Sequence, residues 1–194
     1  MFPFLAIFIT FCLVLTYNIR KSDAAQQKAE EEFWEKERLA NAVRKQDISK
    51  LDYITIPLEK IPQKLDTLAE KKLFALADKP MLNLTGISNT DLKLKYGTAN
   101  ITILSEYDTN FTDFVSVLPE YTNELLEAGF LDTAQELLEF AVSYNADSRK
   151  IYKQLADIYC STGQTEKINH LLNTSEHLPE YTKIAVQKDL SSMN

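Results

Sequence analysis

Apolar and polar positions divide the chain into three regimes. Residues 2–19, FPFLAIFITFCLVLTYNI, contain no charged side chain, and only Thr10, Thr16 and Asn18 are noticeably polar. As a helix rising about 1.5 Å per residue, this stretch spans roughly 27 Å, just enough to cross a bilayer core. Tyr17 stands where an interfacial aromatic belongs, and Arg20–Lys21 follow at once. Residues 20–47 switch to strong helix formers: DAAQQKAEEEFWEKERLANAVRKQ, over 23–46, holds neither Gly nor Pro. Asp23 can cap a helix start, Glu30–Glu32 fall in its first half, Arg44–Lys45 fall in its last turn, and Glu32 with Lys36 forms an i,i+4 pair. The apolar stripe of Ala29, Phe33, Ala40 and Val43 is thin and interrupted by Lys36, short of the sustained heptads of a coiled coil. This segment is expected to be a solvated helical stalk continuing the membrane helix. Phe33 and Trp34 are exceptional, because two large aromatics there need a cover: a partner helix, a second copy or the domain itself.

Beyond the stalk the pattern changes again. Residues 48–89 form a linker and a short helix: LDYITIPLEKIPQ (51–63) is broken by Pro57 and Pro62. Its Tyr53–Ile56 are good strand residues with no evident pairing partner. A helix is expected over 65–78, before Pro80, and LNLTGIS leads into a helix start at Asn89–Thr90. Residues 90–194 read as successive antiparallel helices, one of them around Asp91–Tyr107. The last, roughly 180–190, is a cap with Ile184 and Val186 packed inward.

Gly129 and Gly163 each follow a helical run and lie 34 residues apart, a spacing that repeat architectures use. Before Gly163 stands Tyr152-x-x-Leu155-Ala156-x-x-Tyr159; Leu118, Tyr121, Thr122 and Leu125 occupy the same slots before Gly129. Ala134-x-x-x-Leu138-x-x-Ala141 follows in the first unit, and Ile168, Leu172 and Ser175 take those places in the second. These residues resemble the tetratricopeptide-repeat family, with Tyr for its Trp and Ala for its Gly, as two degenerate repeats over about 110–190. The resemblance implies an all-α, hairpin-array domain that binds proteins or peptides along its first helices, where Asn123, Glu127, Lys150, Lys153 and Asp157 would lie. Members that clamp a carboxylate use a Lys and an Asn one turn apart. Here Pro119 stands in place of that Lys, which disfavours such a clamp. The whole chain also resembles singly anchored repeat proteins of Gram-positive bacteria, on its basic-flanked anchor, its Phe33-Trp34-x-x-Glu37-Arg38 stalk and its late repeat pair. That likeness implies no particular activity.

Composition adds exclusions. The chain is 45% hydrophobic and 25% charged with 4 Gly and 6 Pro, which argues against disorder and against a many-stranded β fold. Net charge is −7, and it is concentrated beyond residue 50, so nucleic-acid binding is not expected. Cys12 and Cys160 are too few and too separated for a disulfide framework or metal cluster and are expected to be small apolar fillers. His170 and His177, the two histidines, have no cysteine nearby, so no metal site or other cofactor is expected. Acidic pairs such as Glu136/Glu139 and Glu124/Glu127 suit solvated helix faces, and phosphate-loop, nucleophile-elbow and Cys–His motifs are absent from the sequence. The expected protein is not an enzyme.

Orientation follows from the basic residues behind the apolar run, which stay on the cytoplasmic side. The expectation is a single-pass cell-membrane protein with its C-terminal domain in the cytoplasm and Met1 outside. A cleaved signal peptide would put basic residues first and small residues at its end; Ala24–Ala25 follow three charged residues, so an uncleaved anchor is favoured. Four N-x-S/T sequons, at Asn83, Asn100, Asn110 and Asn173, are attributed to chance. Two functions remain: a tethered scaffold recruiting a protein partner, or a structural subunit of a membrane complex that pairs through anchor and stalk, with self-association among its options.

Overall fold

The computed structural model describes residues 2–61 and 65–193; Met1 and Pro62, which enter the expectations above, lie outside the described residues. The described chain is all-helical: α1 (Phe2–Ala42), α2 (Leu68–Ala77), α3 (Asn89–Tyr96), α4 (Ile101–Glu127), α5 (Leu131–Ser143), α6 (Arg149–Ser161), α7 (Glu166–Ser175) and α8 (Glu180–Ser191). Two compact units share them, Met1–Asp47 with Ser88–Ile101, and Ile48–Ile87 with Thr102–Asn194.

In the first unit α1 is one unbroken helix, long and apolar enough at its start to cross a membrane. Beyond Pro3 it contains no helix breaker, so nothing interrupts the backbone hydrogen bonds between apolar stretch and stalk. Asp23 is therefore interior and caps nothing, while Arg44 and Lys45 lie past the helix end rather than in its last turn. The expected Glu32–Lys36 pair is also corrected: Glu32 faces Lys28 at 3.7 Å, and Lys36 reaches Asp91 on α3 at 2.7 Å. Glu37 accepts from Lys93 and from the Thr90 hydroxyl, and Ala40 is fully buried at this junction. These contacts hold the Glu37 carboxyl below its ordinary pKa, with Lys93 the largest cause, and Asp91 likewise through Lys36.

The helix expected around Asp91–Tyr107 is two helices. Ser88 caps α3 by accepting the Asp91 amide at 3.2 Å. Gly97, at φ 83° and ψ 148°, ends it in a conformation reserved for glycine. A 3-10 turn over Thr98–Asn100 then leads into α4.

The second unit begins with the extended segment, whose Ile54 pairs antiparallel with Met81; the Ile54 amide donates to the Met81 carbonyl at 3.0 Å. The strand-like residues thus have a partner that the sequence left unnamed. Ile54, Ile56 and Ile61 enter the same hydrophobic core as the helices. Thr67 caps α2 through the Glu70 amide, and Glu70 accepts in return from the Asp66 amide at 2.7 Å. Downstream, α6 packs against α5, α7 and α8. Leu118, Tyr121, Leu125, Leu138, Tyr152 and Leu155 are all buried to within 1%. Ala134, Ala141 and Ala156 are fully buried small residues that let neighbouring helices approach. Gly129 and Gly163 both take positive φ, 85° and 72°, in the turns after α4 and α6. Two expectations fail. Ile184 is 59% exposed, and Val186 with Leu190 carries the packing of α8. Cys160 is exposed at the end of α6, not a core filler.

Candidate functional site

Four of the five residues singled out for a binding face converge. Asn123 from α4 and Lys150, Lys153 and Asp157 from α6 line a solvent-open groove of about 610 Å³, together with Ser116, Pro119, Glu120 and Gln154. Glu127 lies one turn beyond Asn123, outside that lining. Lys153 and Asp157 meet in an exposed ion pair of 3.6 Å. Such a pair contributes little to stability, so both charges can turn toward a ligand at small cost.

The floor of the groove depends on Gln154, which carries no recognisable signal in the sequence. Its Nε2 donates to the Pro119 carbonyl at 2.9 Å and to Asn123 Oδ1 at 2.7 Å, while its Oε1 accepts from the buried Thr122 hydroxyl at 3.2 Å. One amide thus ties α6 to α4. On the other side of α6, Arg149 makes a two-pronged ion pair with Asp189 of α8, at 2.6 and 2.7 Å. Every second helix, α4, α6 and α8, is joined side by side by polar contacts.

A second concavity of about 400 Å³ lies among α5, α6 and α7, with Val142, Leu155 and Leu171 at its base. Glu139 sits at its lip and accepts from Tyr159 (2.8 Å), Gln135 (2.9 Å) and Lys167 (3.2 Å). Burial opposes ionisation of Glu139, but these donors outweigh it and lower the pKa. Burial, reinforced by Glu139, raises that of Tyr159. The lysine ammonium also lies over the Tyr159 ring, 5.1 Å from its centroid. Glu139 had the look of a solvated acid in the sequence; two of its three partners, Tyr159 and Lys167, come from other helices 20 and 28 residues away.

Phe33 and Trp34 lie on α1, 52% and 58% exposed, in edge-on contact with ring centroids 5.3 Å apart. Trp34 Nε1 donates back to Glu30 at 3.3 Å. Three sequon asparagines are committed to the fold: Asn83 donates to the Tyr144 carbonyl, Asn100 to those of Gln46 and Tyr96, and Asn110 to that of Pro80. His170 borders the second concavity and contacts Thr174. Among the described residues no group of three or more His, Cys, Asp or Glu is placed to hold a metal ion. Compared with protein-family models, with curated proteins and with solved structures, the chain matches none.

Proposed function

We propose that this protein is a membrane-anchored interaction module whose tetratricopeptide-like helical array recruits a protein or peptide partner at the cytoplasmic face. The observation that carries the proposal is the convergence of Asn123, Lys150, Lys153 and Asp157 in one open groove. The lysine and aspartate charges add little to stability, and the α4–α6–α8 row beneath them is held through Gln154 and Arg149, with Asn123 accepting one of the Gln154 bonds. Support for the repeat comes from the burial of Tyr152, Leu155, Ala156 and Tyr159 and of Leu118, Tyr121, Thr122 and Leu125, with Gly129 and Gly163 closing turns 34 residues apart. Support for the anchor comes from the apolar start of α1 and the basic pair behind it.

The test uses the tagged full chain in membranes, wild type against Lys150→Glu/Lys153→Glu. The expected result is a co-purified partner that is lost from the variant while the melting temperature holds. Recovery of the same proteins by both forms would sink the groove. Protease added to intact cells should spare the C-terminal region; its digestion would refute the cytoplasmic orientation. A structural-subunit role through anchor and stalk is favoured by the exposure of Phe33 and Trp34. It predicts that Phe33→Ala/Trp34→Ala, and not the groove variant, releases the associated proteins.

A further inference from the structure

The groove between α4 and α6 does not end at α4. On the far side of that helix a second open concavity, of about 420 Å³, runs between α2 and α4, and Ser116 and Glu120 of α4 line both. All three helices belong to one compact unit, and α2 precedes the repeat-like stretch. Charges along this trough are sorted by helix. From α2 come Lys72 and Lys79, from α4 Asp113 and Glu120, and from α6 Lys150 and Lys153. The members of each pair are three or seven residues apart, so each helix turns both of its charges to one side. Five of the six, all but Lys153, have no ion-pair or side-chain hydrogen-bond partner among the described residues, whereas Lys71, next to Lys72 in sequence, is paired with Asp66. Lys72 and Lys79 thus share a concavity with Asp113 and Glu120 without pairing with them, and both signs stay open to a ligand.

Crossed from α2 to α6, the trough presents positive, negative and positive charge in turn. Its complement is negative, positive, negative. Packed helices lie about 10 Å apart, and an extended chain advances about 3.3 Å per residue, so the matching charges recur at about every third residue. We infer that the partner enters as an extended peptide with acidic, basic and acidic side chains at that interval, laid across α2, α4 and α6. The inference rests on the recruitment reading above and gives its partner a chemistry and a second contact surface. A uniform polyanion such as a nucleic acid offers nothing to Asp113 and Glu120 and is repelled by them. Between the charges, Ala75 on α2 and Ser116 on α4 are small and exposed, so a peptide backbone can lie close to both helices. Buried Leu76 and Val117 form an apolar floor beneath it.

The experiment is binding of the labelled full chain, in detergent, to an array of synthetic peptides. Three positions, every third residue, carry Asp, Lys or Ser in all combinations, with degenerate uncharged residues between them. The expected result is strongest binding to the acidic–basic–acidic set, severalfold above both its charge-reversed set and the uniformly acidic set. Lys72→Glu/Lys79→Glu should lower that binding severalfold. Asp113→Lys/Glu120→Lys should instead transfer the preference to the uniformly acidic set, a gain that misfolding does not produce. A wild-type preference for uniformly acidic peptides, equal binding of all sets, no binding, or absence of the transfer would each overturn the inference. The same variants are compared with Lys150→Glu/Lys153→Glu for partner co-purified from membranes. If that variant loses the partner while those on α2 and α4 keep it, the recruiting groove stands and its extension to α2 falls. If all three keep it, both fall.

Discussion

Gly97 lies so close to Arg44 that a β-carbon built on it would stand 2.4 Å from the Arg44 carbonyl oxygen. The backbone of the α1 end and the α3 end are in contact with no side chain between them. Gln46 donates its amide to the Tyr96 carbonyl at 3.0 Å, and the buried Asn100 bridges the Gln46 and Tyr96 carbonyls.

Gly97→Ala should therefore open this junction. The backbone conformation alone costs about 1–3 kcal/mol for a non-glycine residue, and the clash with Arg44 adds to it. Hydrogen exchange should show lost protection at the Gln46 amide. Gly86→Ala is the control: it has the same φ of 83° but nothing within 4 Å of its added carbon, so its effect should be the smaller. Equal effects would mean that the close approach is not formed.

Leu138 and Leu155 are buried to 0% and 1% exposure. Leu→Ala at either should cost on the order of 2–5 kcal/mol. A domain holds only about 5–15 kcal/mol in total, so the double variant should be largely unfolded by circular dichroism. Unchanged denaturation midpoints in both single variants would contradict the packing of α5 against α6.

The Glu139 cluster makes a pH prediction. Because the folded state lowers this carboxyl's pKa, the cluster's stabilisation is present above the unfolded value, about 4.3. It is lost as pH falls through the folded one. The stability gap between wild type and Glu139→Gln should be largest near neutrality and shrink below about pH 4. Denaturant titrations at several pH values measure it; a gap that widens in acid would reverse the sign argued here.

In the groove, binding and stability should separate by residue. Lys153→Glu is a surface change and should move stability by no more than about 0.5 kcal/mol. Gln154→Ala removes the tie between α4 and α6, and should cost about 1 kcal/mol or somewhat more. If chemical denaturation ranks them the other way, the Gln154 contacts do not hold the groove.

Helix content and the hairpin turns were legible for definite reasons. Absence of Gly and Pro kept α1 unbroken from the apolar segment to Ala42, although it ends there inside the Gly- and Pro-free stretch 23–46, and the turns after α4 and α6 need positive φ, which Gly129 and Gly163 supply. Small residues such as Ala134 and Ala156 marked where helices approach. What escaped was polar. By spacing Lys36 belongs with Glu32, and Glu37, Asp91 and Lys93 carry no sign of a distant partner, yet Lys36 and these three fasten α3 to α1 across more than 50 residues of sequence. Gln154 and Glu139 escaped for the same reason, since a polar residue on a helix signals solvent until its partner is known. Ile184 shows the converse: hydrophobicity argued for the interior, but on α8 that interior is reached by Val186 and Leu190.

The unbroken course of α1 also sets a distance. If residues 2–19 occupy a bilayer, Lys36 stands 17 residues past the boundary, about 25 Å along a rigid helix. Electrostatic potential from lipid headgroups decays over about 8 Å at physiological ionic strength. The Lys36–Asp91 and Lys93–Glu37 pairs are thus three decay lengths from the surface, and a change in lipid charge leaves the α3 junction untouched. A flexible leash of equal length would let the same charges dip into the headgroup layer; a stiff one keeps them permanently outside it.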